Sequence, residues 1–373
     1  MSTPETPPPT PDPTPTPAQL GYRMPAEWEP HEATWIAWPH HREDWPGKFA
    51  PVPWVYVEIV RHLSRVERVN IVVEGRRMRD DVSEKLLAHN VDLNQVTFVK
   101  ARTDRVWLRD SGPTFVVNDQ GEGDQRVGLI DWRFNAWAKY DDHRRDNRIP
   151  RRVARKLGLK RWTPRVDCEG ESRRVVLEGG AIDVNGRGSL LTTEECLLSE
   201  VQARNPGVDR QTLEGIFADQ LGVRNVIWLN QGIVGDDTHG HVDDLARFVD
   251  PTTVVVVVEN KASDPNYEPL QENLRRLQEA RDQDGQPLRV VPLPMPEPVL
   301  FDDDRLPASY ANFYIANRLV LVPTFNDPAD REALNTLASL FPDREVVGIH
   351  AVDLVLGLGT LHCLTQQQPA APA

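Results

Sequence analysis

The chain has 373 residues, 39% of them hydrophobic, with 56 Asp and Glu against 43 Lys and Arg. That length suffices for a sizeable core, as two domains or as one large one. A formal net charge of −13 argues against nucleic-acid or anionic-membrane partners, which demand a basic face, and leaves cationic small molecules open. Residues 1–20 form a Pro/Thr tail that cannot bury a core and is expected to be disordered or extended. The body is expected over 21–369 as a single catalytic domain, with 370–373 a second tail. It opens near Tyr22 and enters a strand over 33–38.

From there short β-branched runs alternate with amphipathic helical patterns. Apolar residues at 55, 59, 60, 63 and 66 predict a helix over 55–66, followed by a strand at 69–73. A second helix is expected at 82–89 and a strand at 96–99. Strands follow at 115–117, 128–132, 175–177, 190–193, 226–229 and 254–258, with helices at 147–157, 208–221, 268–280 and 329–340. No Gly-rich phosphate loop follows a first strand, so a dinucleotide fold has little support. Polar, chemically loaded loops recur instead at Asp110, Glu178, His241, the cluster Tyr310-Ala311-Asn312, and Cys363, at intervals of 53 to 69 residues. Recurrence of this kind suggests about five α/β modules around a centre where the loops meet.

Three cysteines, Cys168, Cys196 and Cys363, are too few and too scattered for a disulfide scaffold or a four-cysteine zinc site. With no basic-then-apolar leader and no membrane-length apolar run, a reduced cytoplasmic home is expected. Cys363 follows Gly357 and Gly359, which let the backbone turn tightly. It reads either as a buried small hydrophobe or as a nucleophile. Asp236 to Asp244 packs two histidines and four acids into nine residues. Strand alternation would put His239, His241 and Asp243 on one face and turn Asp244 away.

Two chemistries fit that stretch. Thr238-His239-x-His241-x-Asp243-Asp244 is one residue short of the histidine-rich run of metallo-β-lactamase-type zinc hydrolases, whose further ligands would have to come from His350 or His362. The other joins the loops. A cysteine nucleophile needs a histidine to carry protons. Three carboxylates at separate loops, Asp110, Glu178 and Asp243, suit a planar cation with several N–H donors, which is a guanidinium.

The stretches 24–31, 107–113, 177–180, 240–243, 309–313 and 361–367 together resemble the agmatine deiminases (agmatine iminohydrolases) of the guanidino-group-modifying, or pentein, superfamily, over nearly all of 22–369. The resemblance implies a five-module α/β propeller with pseudo-five-fold symmetry and a central active site, and no metal or organic cofactor. Position by position it implies Cys363 as nucleophile, His241 as general acid/base, and Glu178 as the partner orienting it. Asp110 and Asp243 would clamp the guanidinium, Trp107 would wall the channel, and Asn312 would belong to the substrate site. The segment Asn135-Ala136-Trp137-Ala138-Lys139-Tyr140 lacks the Gly-Gly pair usual before the Lys, and His239 stands where Asp or another polar residue is expected. The reaction implied turns agmatine into N-carbamoylputrescine and ammonia, a step toward putrescine and polyamines. Arginine or peptidyl-arginine is the alternative substrate, and a carboxylate there would call for a dedicated Arg such as Arg247 or Arg318. The sequence leaves open whether the chain works as a homo-oligomer.

Overall fold

The computed structural model describes residues 15–168 and 170–372. Five sheets in it share one plan: a strand antiparallel to a second, which runs parallel to a third across at least one helix. In chain order of their second strands, the first sheet joins Thr365–Pro369, His31–Ala37, Arg68–Val73 and Val96–Lys100. The next adds Tyr22–Arg23 to Thr114–Asn118, Val127–Ile130 and Lys160–Trp162. Three-stranded sheets follow: Asp183–Val184, Ser189–Thr193 and Asn225–Leu229; then Ala246–Phe248, Thr253–Val258 and Arg289–Pro294; then Tyr314–Ala316, Leu319–Thr324 and Glu345–His350. The first sheet carries the two ends of the body together, pairing Thr34 with Gln367 and Ile36 with Thr365. That pairing anchors the cysteine-bearing turn just ahead of Thr365.

The crossovers follow from the expected periodicities. Helix Val52–Leu63 buries Val52, Tyr56, Ile59, Val60 and Leu63 on one stripe. Asp209 caps Arg210–Leu221 by accepting from the Thr212 amide, and Gly222, at φ 70°, ends it in the left-handed region. Thr253–Val258 is buried on both faces, as a central strand flanked by helices should be. Helix Ile149–Leu157 buries Ile149, Pro150, Val153 and Ala154 and exposes Arg151, Arg152 and Arg155, so the acidic net charge coexists with a local basic face.

Some boundaries differ from expectation. Residues 1–14 of the tail lie outside the described residues. Ala18–Leu20 is a 3-10 turn, and the Leu20 carbonyl accepts from Asn118 Nδ2, so the ordered body starts earlier than 21. At the other end the Ala370 amide donates to the Pro30 carbonyl, which ties the start of the expected 370–373 tail to the body. Val175-Val176-Leu177 is one isolated bridge to Arg133 rather than a strand, because the hairpin Arg165–Cys168 and Glu171–Arg174 takes up the chain just before it. No helix among the described residues is long and apolar enough to cross a membrane.

Candidate active site

Ahead of the first strand of every sheet lies a short turn, and these five turns hold the residues singled out from the sequence. Leu108–Ser111 carries Asp110, Gly179–Ala181 follows Glu178, Val242–Asp244 follows His241, residues 309–312 end in Asn312, and Leu361–Leu364 carries Cys363. Each turn leads directly into an antiparallel strand, so sheet pairing fixes its position. All five residues are buried; His241, Glu178 and Asn312 are fully enclosed.

His241 is ringed by acids. Its Nε2 lies 3.7 Å from Glu178 Oε2, and its Nδ1 lies 3.8 Å from Asp110 Oδ1 and 3.9 Å from Asp243 Oδ1. Burial alone would lower the imidazole pKa; Asp110 and its other partners outweigh that and hold it well above the usual value. Glu178 is pushed up by burial but held low by the Arg204 guanidinium, 3.2 Å away. Asp110 accepts from Trp137 Nε1 at 2.9 Å and from the Gly180 amide at 3.0 Å. Burial, reinforced by Asp243 and Glu178, raises its pKa to about 6 despite His241. Gly180 has to be glycine: a Cβ there would come 2.5 Å from His241 Nδ1 and 2.9 Å from Asp110 Oδ1.

Cys363 Sγ sits 3.0 Å from Asn312 Nδ2 and 3.8 Å from Asp243 Oδ2. Burial and then Asp243, Asp244 and Asp110 push its thiol pKa well up. Asn312 lies behind Cys363, away from the cavity: its Oδ1 accepts from Thr360 Oγ1 and the His362 amide, and its Nδ2 also donates to Asp244 Oδ1. A cavity of about 550 Å³ reaches Cys363 and Asp110 between Trp107 and Trp137. Its mouth is lined by Glu43, Asp44, Asp142 and Asp237. Arg105 lies among them, ion-paired to Asp44 and Asp142 and stacked on Tyr140.

The stretch 236–244 departs from strand alternation. Asp236 Oδ2 accepts from the Gly240 and His241 amides, His239 takes a left-handed φ of 63°, and Val242–Asp244 is a 3-10 turn. Asp244 therefore turns inward beside Asp243 instead of away from it, and burial with Asp243 and Asp236 raises its pKa strongly. His239 points to Ser199 Oγ, 3.2 Å away, so the two histidines diverge. His350 is exposed at the end of its strand. The zinc-hydrolase arrangement is thereby lost. Gly357 and Gly359 serve by close approach, to the Trp45 ring and to Trp107 with Cys363, while Leu358 between them is the left-handed residue, at φ 66°.

A second network lies behind Cys363. Glu27 takes Arg109 Nη2 at 3.0 Å, Arg247 Nη2 at 3.0 Å and His362 Nε2 at 2.8 Å. His362 Nδ1 is 2.6 Å from Asp243 Oδ2, so this histidine bridges the network to the site. Burial opposes the ionised form of Glu27, but Arg247, His362 and Arg109 hold its pKa well below normal. Arg247 also binds Asp183 and the Phe313 carbonyl, and Arg318 is exposed, so neither lines the cavity to meet a substrate carboxylate. Glu27, Arg109, Arg204 and Asp244 escaped sequence reasoning. Arg247, flanked by Leu245, Ala246, Phe248 and Val249, carried a usable signal, since a charge inside an apolar run needs a buried partner.

Residues 23–369 match the family of Porphyromonas-type peptidyl-arginine deiminases. The chain is 38% identical over 379 residues to the agmatine deiminase of Stutzerimonas stutzeri and 36% identical over 373 residues to that of Ectopseudomonas mendocina, covering 94% of this chain and 96% of each relative. It superposes on a structure of the agmatine deiminase of Enterococcus faecalis with a TM-score of 0.86 at 33% identity, covering 96% of this chain and 99% of that one. The mixed α/β fold and the match along 23–369 make this chain a member of the Porphyromonas-type peptidyl-arginine deiminase family, with agmatine deiminases among its relatives.

Proposed function

We propose that the protein is an agmatine deiminase, releasing ammonia and N-carbamoylputrescine. The observation that carries this reading is a set of buried carboxylates, Asp110, Asp243 and Asp244, converging on Cys363 and His241. Among the described residues no Lys or Arg lies within ion-pair distance of them. Their cationic neighbours are histidines, His241 beside Asp110 and Asp243 and His362 on Asp243 Oδ2, which leaves buried acid in excess, and a guanidinium with several N–H donors answers that cost. The five like-built sheets support a propeller with pseudo-five-fold symmetry and the site at its centre.

Resting Cys363 is a thiol and resting His241 an imidazolium. A bound guanidinium, clamped by Asp110 and Asp243, adds positive charge beside the sulfur and favours thiolate, the thiol proton leaving to solvent through the cavity. The sulfur attacks the guanidino carbon, and His241 gives a proton to the departing nitrogen, so that ammonia leaves a Cys363–amidino thioether. His241 then takes a proton from water, the water oxygen bonds to the same carbon, and the C–S bond breaks to return Cys363. Glu178 orients His241, and Asn312 holds the nucleophile's turn.

The mouth decides between agmatine and arginine. Its four acids exceed its two cations, and both cations are engaged: Arg105 by Asp44 and Asp142, and Lys139 by Asp237. That suits an ammonium tail and opposes an α-carboxylate. Ammonia release should be fast with agmatine and at least about tenfold slower, in kcat/KM, with arginine or a blocked arginine peptide. Equal rates would overturn the agmatine reading and leave guanidino hydrolysis standing. The three cysteines are all free thiols, which fits a reducing, cytoplasmic setting. We further propose no nucleic-acid or membrane partner and leave homo-oligomerisation to a sizing experiment.

A further inference from the structure

A second cavity, of about 700 Å³, is lined by Trp38, Glu74 and Arg102, which follow the parallel strands His31–Ala37, Arg68–Val73 and Val96–Lys100. The carboxyl ends of parallel strands are where α/β folds place ligands. Five cationic side chains line it against two acids, the reverse of the balance in the substrate cavity and in the chain as a whole. Two of the five are engaged: Lys85 pairs with Asp81, and Arg76 lies 3.6 Å from Asp80. Among the described residues Arg42, Arg77 and Arg102 have no acid within ion-pair distance, and they come from three separate segments. Arg42 is held by stacking, its guanidinium 5.2 Å from the centre of the Phe49 ring. Trp38, Pro53 and Met78 give the cavity an apolar side. Guanidinium groups without acids around one concave site suit linked phosphates, which accept several charge-assisted hydrogen bonds at once. The exposed arginines of 148–155 line a groove as well, but all come from one stretch of chain and no apolar residue joins them.

The two cavities share a wall. Along residues 38–53, His41, Glu43, Asp44 and Pro46 line the substrate cavity, whereas Trp38, Pro39, Arg42, Phe49 and Pro53 line the second. We propose that the second cavity binds a small polyphosphate anion, and that the bound anion tightens binding of the cationic substrate across this wall. Its charge offsets Arg42, which directly precedes Glu43 and Asp44, and so leaves the acids of the mouth to act on the substrate. Such coupling is reciprocal, and the substrate tightens the anion by the same factor. The binding site rests on the cavity alone; the coupling rests on the agmatine reading.

Calorimetry on the full chain at low salt should find one inorganic triphosphate bound per chain, with an affinity that falls as salt rises. A parallel titration with ATP separates the sources: equal affinity assigns the site to the phosphates alone, and tighter binding of ATP brings in the apolar side. Arg77→Ala and Arg102→Ala, both at exposed positions, should each weaken binding by about tenfold. The double variant Arg151→Ala/Arg155→Ala should leave it unchanged. Saturating triphosphate should lower the KM for agmatine by about two- to fivefold in the unaltered chain, and should not in Arg77→Ala/Arg102→Ala. Absence of binding, or binding that is lost with Arg151 and Arg155 but kept without Arg77 and Arg102, overturns the site. Binding with an unchanged KM overturns the coupling. A chain that releases no ammonia from agmatine overturns the proposed function, while calorimetry still decides the site.

Discussion

Glu27 and Asp110 are both buried acids close to the Cys363 turn, yet Glu27 meets two guanidinium groups and Asp110 meets none. Glu27 is held ionised by Arg247, His362 and Arg109, whereas burial lifts Asp110 to about 6. The paired acid behind Cys363 is part of the scaffold. The acids in front of it meet only histidines, His241 beside Asp110 and Asp243 and His362 on Asp243, so acid there exceeds positive charge. Where a protein leaves buried carboxylates in excess of its own cations, it marks the place where a cation binds.

The largest expected effect falls where the two regions meet. Cys363→Ser should cost about 10⁴-fold or more in kcat, since among the described residues Cys363 brings the one thiol to the cavity. Chelators should leave the unaltered enzyme active, and loss of activity on chelation would break the cysteine mechanism. On the paired side, Glu27→Gln leaves Arg109, Arg247 and His362 without their shared acid. Urea unfolding should show a loss of about 3–5 kcal/mol. A change under about 1 kcal/mol would mean that this network does not hold the fold.

Asp110→Asn should move two readouts in opposite directions. Removing half of the clamp should cost roughly 3 kcal/mol in kcat/KM, about a hundredfold. The ligand-free fold should instead gain stability. A carboxyl raised from its ordinary 3.8 to about 6 favours folding fully below 3.8 and loses that contribution as pH rises through 6. Above pH 6 the folded state therefore carries a cost that Asn removes. The variant should melt higher than the unaltered protein at pH 8, and the gap should close near pH 4. The same group should give kcat/KM an acid limb near pH 6 that Asn abolishes, because a protonated Asp110 cannot clamp a cation. Lower melting at pH 8 would place Asp110 with the paired acids and break the comparison.

Much of this was legible in the chain itself. Five loaded loops, scattered over more than 250 residues, were read as one site because the chemistry of Cys363, His241, Asp110, Glu178 and Asp243 makes sense only jointly. The misreadings share one cause. Asp244 was turned outward by assuming extended backbone, but the amides of Gly240 and His241 fold onto Asp236 and a 3-10 turn follows, so 243 and 244 both face inward. Periodicity describes regular elements and says nothing of such turns. Glu27 and Arg109 were missed, and Arg247 was offered only as a partner for a substrate carboxylate, because ion pairs between distant segments leave no local pattern; only the oddity of Arg247 in an apolar strand hints at them.

The smallest expected effect concerns the loop that aims Trp137 at Asp110. Ala136, Trp137 and Ala138 take φ of 53°, 58° and 54°, three consecutive left-handed residues where the resemblance led us to expect a Gly-Gly pair. Left-handed backbone costs an L-residue roughly 1–2 kcal/mol, whereas glycine takes it freely. Glycine also loosens the unfolded chain, at about 0.4–1 kcal/mol, so the net gain from substitution lies between about 0 and 1.6 kcal/mol. Ala138 is exposed and its methyl packs against little, so Ala138→Gly should raise Tm slightly and leave kcat/KM within about twofold, with the Trp137 bond to Asp110 kept. Ala136 is fully buried, so Ala136→Gly gives back part of its relief as lost packing and should be neutral or destabilising. If Ala138→Gly instead lowers Tm and kcat/KM together, the alanine is holding the loop in place, and the stiffness of that loop is part of how Asp110 is kept ready for a cation.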